Sequence, residues 1–314
     1  MTNFFKNIFI ILFSIFILVS FTILIVLWTF SNSIPDYRFL KNYKPPVSSK
    51  MYSGNGELVA DFSKEKRIFV PYSSIPQNVI NAFLSAEDKN FFSHPGVDAK
   101  GVLRAVINNI KNVLSSRRLE GASTITQQVA KNFLLTNEVS LNRKLKEAIL
   151  AFRIERALTK ERILELYLNQ IYLGSGAYGV AAASLEYFDK SIKELDYSDA
   201  ALLAALPKAP SKYNPYKNFD QAKMRQIEVL QLMLANQRIT ISELEAAVSE
   251  NIDLQPYQFE IKAPHFVLGR IADEISTRYG DRAIFSDGLN IVTTIDYNLQ
   301  KIGQEVLEEW ITKF

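Results

Sequence analysis

Cysteine is absent, so the chain can form neither a disulfide nor a thiolate metal site, and that absence does not reveal its redox compartment. Histidine is scarce. Only His94 and His265 could offer an imidazole, so a bound metal would have to rely on carboxylates. The formal net charge of +3 is small for 314 residues and gives no reason to expect a nucleic-acid partner. There is no internal repeat and no low-complexity tract. What remains suits one large domain or two modest ones, with ample residues for a buried core.

Charge is also missing locally. From Ile8 to Phe30 the chain is apolar and carries no ionisable residue. At ~1.5 Å per residue a helix over this run would reach about 34 Å, enough to cross a hydrocarbon core of ~30 Å. A cleaved signal peptide is the rival reading, with Ser31 and Ser33 as small residues near a cleavage point. Its apolar region would normally be only ~7–15 residues, so a retained anchor is expected. Flanking charge favours an inward orientation for the main body. Lys6 precedes the run, whereas Arg38, Lys41 and Lys44 lie beyond it, which by the positive-inside rule would leave the bulk of the chain in the cytoplasm.

After a connector containing Pro35, Pro45 and Pro46, the segment 51–62 shows two β-prone runs around Gly54-Asn55-Gly56, a hairpin signal. From Ile75 to about Glu250 the pattern is helical. Apolar residues at 141, 145, 149, 150 and 154 mark one helix face, and Thr159 is placed to cap the next helix. Pro207, Pro210 and Pro215 mark a loop, and 219–236 and 241–250 read as two further helices. Beyond them, 263–280 reads as a helix, 288–296 as a strand and the last residues as a helix. The spacing over 102–118, ending in Arg117-Arg118, predicts either a core helix or a helix dipping into a membrane surface.

Four strings carry chemistry. In EDKNFFSHPG (87–96), Glu87 closes a helical run beside Phe91-Phe92, a setting that can raise a carboxyl pKa and suit it to general acid or base work. In GASTITQQVAKNF (121–133), hydroxyls precede a helix, and Ser123, Gln127 and Lys131 recur every four residues. A helix start with a lysine on its near side is an anion site, or simply a capped polar helix. In RKLKE (143–147), Arg143 and Glu147 are four apart and could pair on a solvated face for only ~0.3–0.5 kcal/mol. The string KERILELYLNQIYLGSGAYG (160–179) is mostly packing residues, followed by Gly174, Gly176 and Gly179, which allow a tight turn. Glu165 and Asn169 are expected to hold the cleft together.

These strings, in this order, resemble the peptidoglycan glycosyltransferase domain (family 51) of class A penicillin-binding proteins and of monofunctional transglycosylases. The E-D-x-x-F-x-x-H-x-G pattern at Glu87, Asp88, Phe91, His94 and Gly96 is complete, as is S-T-x-T-Q-Q at 123–128. The resemblance implies a mainly α, lysozyme-like domain over 65–250, after an anchor at 1–30 and a connector at 31–64. Residues 251–314 would then lead toward a transpeptidase domain. That domain's own motifs are missing, since Ser63-Lys64-Glu65-Lys66 fits S-x-x-K in a charged loop and no K-T-G exists. The chain is therefore read as a portion of a longer bifunctional protein.

The resemblance also assigns roles. Glu87 becomes the base that deprotonates the acceptor sugar's 4-hydroxyl, and Glu147 the second active-site carboxylate. Asp88, Phe91, His94, Ser123, Thr124, Gln127, Gln128, Lys131, Asn132, Arg143 and Lys144 line the substrate, with Lys144 on the donor phosphate and His94 holding its loop. A divalent cation, magnesium or manganese, near Glu87 or Asp88 is the one expected cofactor, and no organic one is. The implied substrate is lipid II with a lipid-linked nascent glycan, the implied neighbours are membrane lipids and other cell-wall synthesis proteins, and nucleic acid is not expected. The site is implied to lie on the outer face of the bacterial inner membrane, opposite to the side that flanking charge favours, with 102–118 dipping into lipid. Two departures stand out. Val139 occupies a position where an arginine is usual, and Gln226 replaces the second arginine of a fifth motif, RQIEVLQLM (225–233). A glycan-cleaving muramidase and a non-catalytic membrane scaffold are the rival functions; the cations around 131–144 speak against the first and the intact Glu87 and Glu147 against the second.

Overall fold

The computed structural model describes residues 2–32, 34–43, 49–61, 66–114, 121, 123–135, 140–255, 265–280 and 288–313. Val139, Arg117-Arg118 and Ser63–Glu65 therefore lie outside the described residues. The fold is mainly helical with a small mixed sheet. It divides into two compact units, Met1–Lys41 with Phe92–Ile163, and Asn42–Phe91 with Leu164–Phe314. The expected 65–250 domain is thus distributed over both, and each is described by itself.

The first unit opens with α1 (Thr2–Asn32), whose described apolar side chains, Phe9 to Phe21 and Ile25, are largely exposed. Among the described residues no helix is long and apolar enough to cross a membrane. Within α1 the side chains described without a break run only from Phe9 to Thr22, so the expected 8–30 span is covered in part. Then come α3 (Ala99–Leu114), α4 (Ile125–Leu134) and α5 (Leu141–Ala157), numbered after α2 (Gln77–Glu87) of the other unit. On α3, Leu103 and Ile107 are exposed beside Lys100 and Arg104. The fourfold spacing on α5 places Leu150 and Ile154 fully inside, where α5 packs on α4. The division between the units falls within α6 (Lys160–Gln170). As expected, Thr159 caps α6: its hydroxyl accepts the Arg162 N–H at 3.3 Å.

The second unit is built on α8 (Tyr197–Ala205), which follows α7 (Val180–Phe188). Its alanine-rich run 200–206 is completely buried. Its alanines at 200, 201, 204 and 205 leave room for close approach, and α2, α9 (Phe219–Ala235) and α10 (Ile241–Ser249) all pack on it. Phe83 of α2 is 0% exposed, a burial worth roughly 1.5–3 kcal/mol. Gln226 of the variant fifth motif is also 0% exposed. Its Nε2 donates to the carbonyl and the hydroxyl of Ser198 at 2.7 and 2.8 Å, while its Oε1 has no hydrogen-bond partner among the described residues.

The predicted hairpin is present as β1 (Lys50–Tyr52) antiparallel to β2 (Leu58–Asp61), with Gly56 at φ +86°. A second, two-stranded sheet pairs β3 (Lys66–Arg67) in parallel with β4 (Ala177–Tyr178). β5 (Asn290–Val292) pairs in parallel with β1, giving the order β2-β1-β5. Strands from the expected connector and the expected linker therefore share one sheet. Met51, Val59 and Ala60 form its core, closed by Ile291, by Ile271 of α11 (His265–Tyr279) and by Tyr297 of α12 (Tyr297–Thr312).

Candidate active site

In the first unit, α4 starts where it does because Thr124 takes extended backbone (φ −78°, ψ 164°) and caps it. The Thr124 hydroxyl accepts the Gln127 N–H at 3.2 Å, and Gln127 Oε1 accepts the Thr124 N–H at 3.0 Å. The same hydroxyl donates to the Gly96 carbonyl at 2.5 Å, which ties the S-T-x-T-Q-Q string to the His-x-Gly turn. Gln127, expected on the substrate, is thus 5% exposed and turned back into the cap. Gln128 is half-buried, whereas Lys131 and Asn132 are exposed. Fourfold spacing alone put Gln127 and Lys131 on one face; packing against α5 buries only the first of them.

His94 is 8% exposed, and its Nδ1 accepts the Gly96 N–H at 3.2 Å. The bond closes the turn between the two residues. Gly96 sits at φ +99°, and a Cβ there would come within 2.8 Å of the Ala151 backbone, so no other residue fits without movement. A network that the sequence did not disclose supports this turn. Lys160 Nζ donates to the His94 carbonyl and to Glu155 Oε1, both at 2.7 Å, and Thr126 Oγ1 donates to Glu155 Oε1 at 2.6 Å. In sequence, Glu155 reads as one more charge on a polar helix, with nothing nearby in the chain to mark it.

RKLKE sits at the beginning of α5. Ser140 caps the helix by accepting the Arg143 N–H at 3.1 Å. Arg143 and Lys144 therefore lie in the first turn, where the helix dipole is positive and cations are disfavoured. Glu147, 2% exposed, meets both. Lys144 Nζ is 2.6 Å from Glu147 Oε2 and donates equally closely, at 2.6 Å, to Ser123 Oγ. Arg143 Nε is 3.2 Å from Glu147 Oε1 but off the line of a hydrogen bond, so that attraction is ionic. Lys144 thus joins two strings that are separate in sequence. Both helix starts are capped from within: the α4 capping box uses the N–H groups of Thr124 and Gln127, and the Ser140 cap of α5 uses that of Arg143.

In the second unit, Glu87 is the last residue of α2 and half-buried. The next residue, Asp88, is 7% exposed; its N–H returns to the Leu84 carbonyl at 3.0 Å, and its carbonyl accepts the Phe91 N–H at 3.1 Å. Phe91 is 0% exposed and anchors this turn from inside. Tyr167 of α6 is buried nearby, and burial together with the charges of Glu87 and Asp88 pushes its phenol well above the usual value. Glu165 and Asn169 have a definite task here. Asn169 takes the Val70 N–H and returns a bond to its carbonyl, each at 2.8 Å, and Glu165 Oε2 accepts the Tyr72 N–H at 2.7 Å. They staple segment 70–72 to α6. The glycine turn is as tight as its sequence suggested: Gly174, Ser175, Gly176 and Gly179 all have positive φ, and a Cβ on Gly179 would lie 2.7 Å from the Asn169 carbonyl oxygen.

Among the described residues, no group of three or more His, Asp or Glu is placed to hold a metal ion. Of the two expected catalytic carboxylates, Glu147 already faces two cations.

A family model described as Transglycosylase matches residues 55–234. Penicillin-binding protein 1A of Rickettsia bellii is 45% identical over 291 residues, covering 92% of this chain and 37% of its own length. The Aquifex aeolicus penicillin-binding protein 1A is 43% identical over 291 residues, covering 93% of this chain and 39% of its own. The crystal structure of penicillin-binding protein 1A from Haemophilus influenzae superposes with a TM-score of 0.50 at 26% identity, over 84% of this chain and 29% of that one. The chain thus spans well under half the length of the relatives it matches. Matched over more than half its own residues, this chain belongs to the transglycosylase family and carries a peptidoglycan glycosyltransferase domain.

Proposed function

We propose that this chain polymerises lipid II into β-1,4-linked glycan, with the lipid-linked growing strand as donor and a further lipid II as acceptor. The observation that carries the reading is the pair Arg143 and Lys144 in the first turn of α5, bridged to Ser123 and to the buried Glu147. Two cations at the positive end of a helix, set against one carboxylate, leave a local surplus of positive charge. That surplus suits a phosphate-bearing ligand.

In this reading the acceptor's 4-hydroxyl gives its proton to the Glu87 carboxylate while its oxygen bonds to the donor's anomeric carbon. The bond from that carbon to the pyrophosphate oxygen breaks on the opposite face, and undecaprenyl pyrophosphate leaves with the electron pair. Configuration inverts from α to β. Pyrophosphate is already a good leaving group, so Lys144 and Arg143 stabilise the departing charge without a general acid. Thr124, Gln127 and His94 set the shape of the turn rather than exchange protons. No step depends on a metal held by the protein.

The proposal includes membrane anchoring of a lysozyme-like domain, with α1 crossing the inner membrane and the site on its outer face. A helix of 31 residues is about 46 Å long, more than the ~30 Å needed, and its described face is apolar. Incubating purified protein with lipid II decides between the readings. Polymer with release of undecaprenyl pyrophosphate is expected; cleavage of preformed glycan would instead favour a muramidase, and inertness a scaffold. Glu87→Gln should lower polymerisation by ~10²–10⁴-fold, and near-normal turnover would remove Glu87 from the mechanism.

A further inference from the structure

Tyr167 of α6 is 1% exposed, yet its hydroxyl has no hydrogen-bond partner among the described residues. A phenol buried so completely normally has one. Its ring is held edge-on against Phe83, with centroids 6.2 Å apart and planes at 76°. Phe83 precedes Glu87 by one turn on α2, so the clamp on the ring is also a clamp near the end of that helix. The charges of Glu87 and Asp88 both reach the phenol. Burial and those charges keep it protonated, hence a donor. The reaction as proposed gives this group no task.

Glu87 stands at the C-terminal end of α2, where the helix dipole disfavours negative charge, and it is only half-buried. We infer that Tyr167 is a positioning residue for Glu87: its hydroxyl is the buried donor that fixes one carboxylate oxygen once the acceptor sugar is bound, leaving the other to take the proton. Hydrogen bonds of this kind are often unformed in a free enzyme and close only in the substrate complex. A charge-assisted bond from a phenol held rigid by Phe83 would fix the orientation of the carboxylate more firmly than the helix end can. The inference rests on the reading of Glu87 as the base.

Tyr167→Phe tests it, because the ring and its packing on Phe83 remain and only the hydroxyl is lost. The full chain, assayed on lipid II, should show kcat lowered about tenfold or more, with KM and the melting midpoint unchanged or the midpoint raised. Removing an unpartnered buried hydroxyl should not harm folding, and Tyr167→Met, which fills similar space without a donor, provides an independent second case. In a Glu87→Gln background the same change should cost nothing further, since the group it acts through is gone. Parental kcat in Tyr167→Phe, or equal losses in the two backgrounds, would overturn the positioning role. Near-normal turnover of Glu87→Gln alone would instead sink the base assignment, so the two failures are distinguishable.

Discussion

Replacing Lys144 with Met keeps a long apolar stem and removes the ammonium that joins Ser123 Oγ to Glu147 Oε2, each at 2.6 Å. The effects on fold and on catalysis should separate. Lys144 is 49% exposed in its side chain, so its pair with Glu147 is worth only ~0.2–1 kcal/mol to stability. Arg143, 3.2 Å from the other carboxylate oxygen and only 19% exposed, stays to face Glu147. For a domain of this size the melting midpoint should therefore fall by no more than about 4 °C. If Lys144 meets the donor's phosphate, the lost charge-assisted bond is worth about 1.5–3 kcal/mol, or ~10–150-fold in donor use. Initial rates would be measured by titrating a lipid-linked donor at saturating acceptor, then the acceptor at saturating donor, with melts run in parallel. A selective donor-side loss with a nearly unchanged midpoint is expected. Equal losses on both sides, or a midpoint lowered by more than about 10 °C, would show that Lys144 holds the fold and that the phosphate assignment is mistaken.

Gly96→Ala places a Cβ within 2.8 Å of the Ala151 backbone at a residue with φ +99°, so it should displace the His94 turn and abolish polymerisation; a folded variant with parental turnover would contradict the geometry. Lys160→Met leaves the nearly buried Glu155 with the Thr126 hydroxyl but without the Lys160 ammonium, which should lower unfolding free energy by about 3–5 kcal/mol in urea titrations. Adding Glu155→Gln should recover most of that loss, and no recovery would place the effect elsewhere. Glu147→Gln should impair turnover with the fold intact, as judged by circular dichroism; a change confined to thermal stability would reduce Glu147 to a helix pairing partner.

Local chemistry was legible along the chain wherever neighbouring residues decide the outcome. The Gly54-Asn55-Gly56 hairpin, the cap at Thr159, the buried face of α5 at Leu150 and Ile154, and the tight turn through Gly179 depend on turn preference, capping or periodicity, all of which act within a few residues. The family strings were equally plain, because their residue types recur in fixed order. Gln127 and Lys131 mark where this reasoning runs out. They share a spacing but not an environment, since spacing sets a helix face and only the neighbouring helix decides how far its burial extends.

The sequence by itself determined that the chain is mainly helical and which strings mark its family. Tertiary structure alone decided how those strings engage one another: Lys144 reaching Ser123, Thr124 closing on the Gly96 carbonyl, and Thr126, Glu155 and Lys160 converging beneath His94. It also decided that β5 lies beside β1, and that Tyr167, outwardly one more aromatic in a packing helix, buries its hydroxyl within reach of the charge on Glu87. The reason is physical. A buried polar contact depends on which two surfaces exclude water together, and residues far apart in the chain carry no local mark of the partner they will meet.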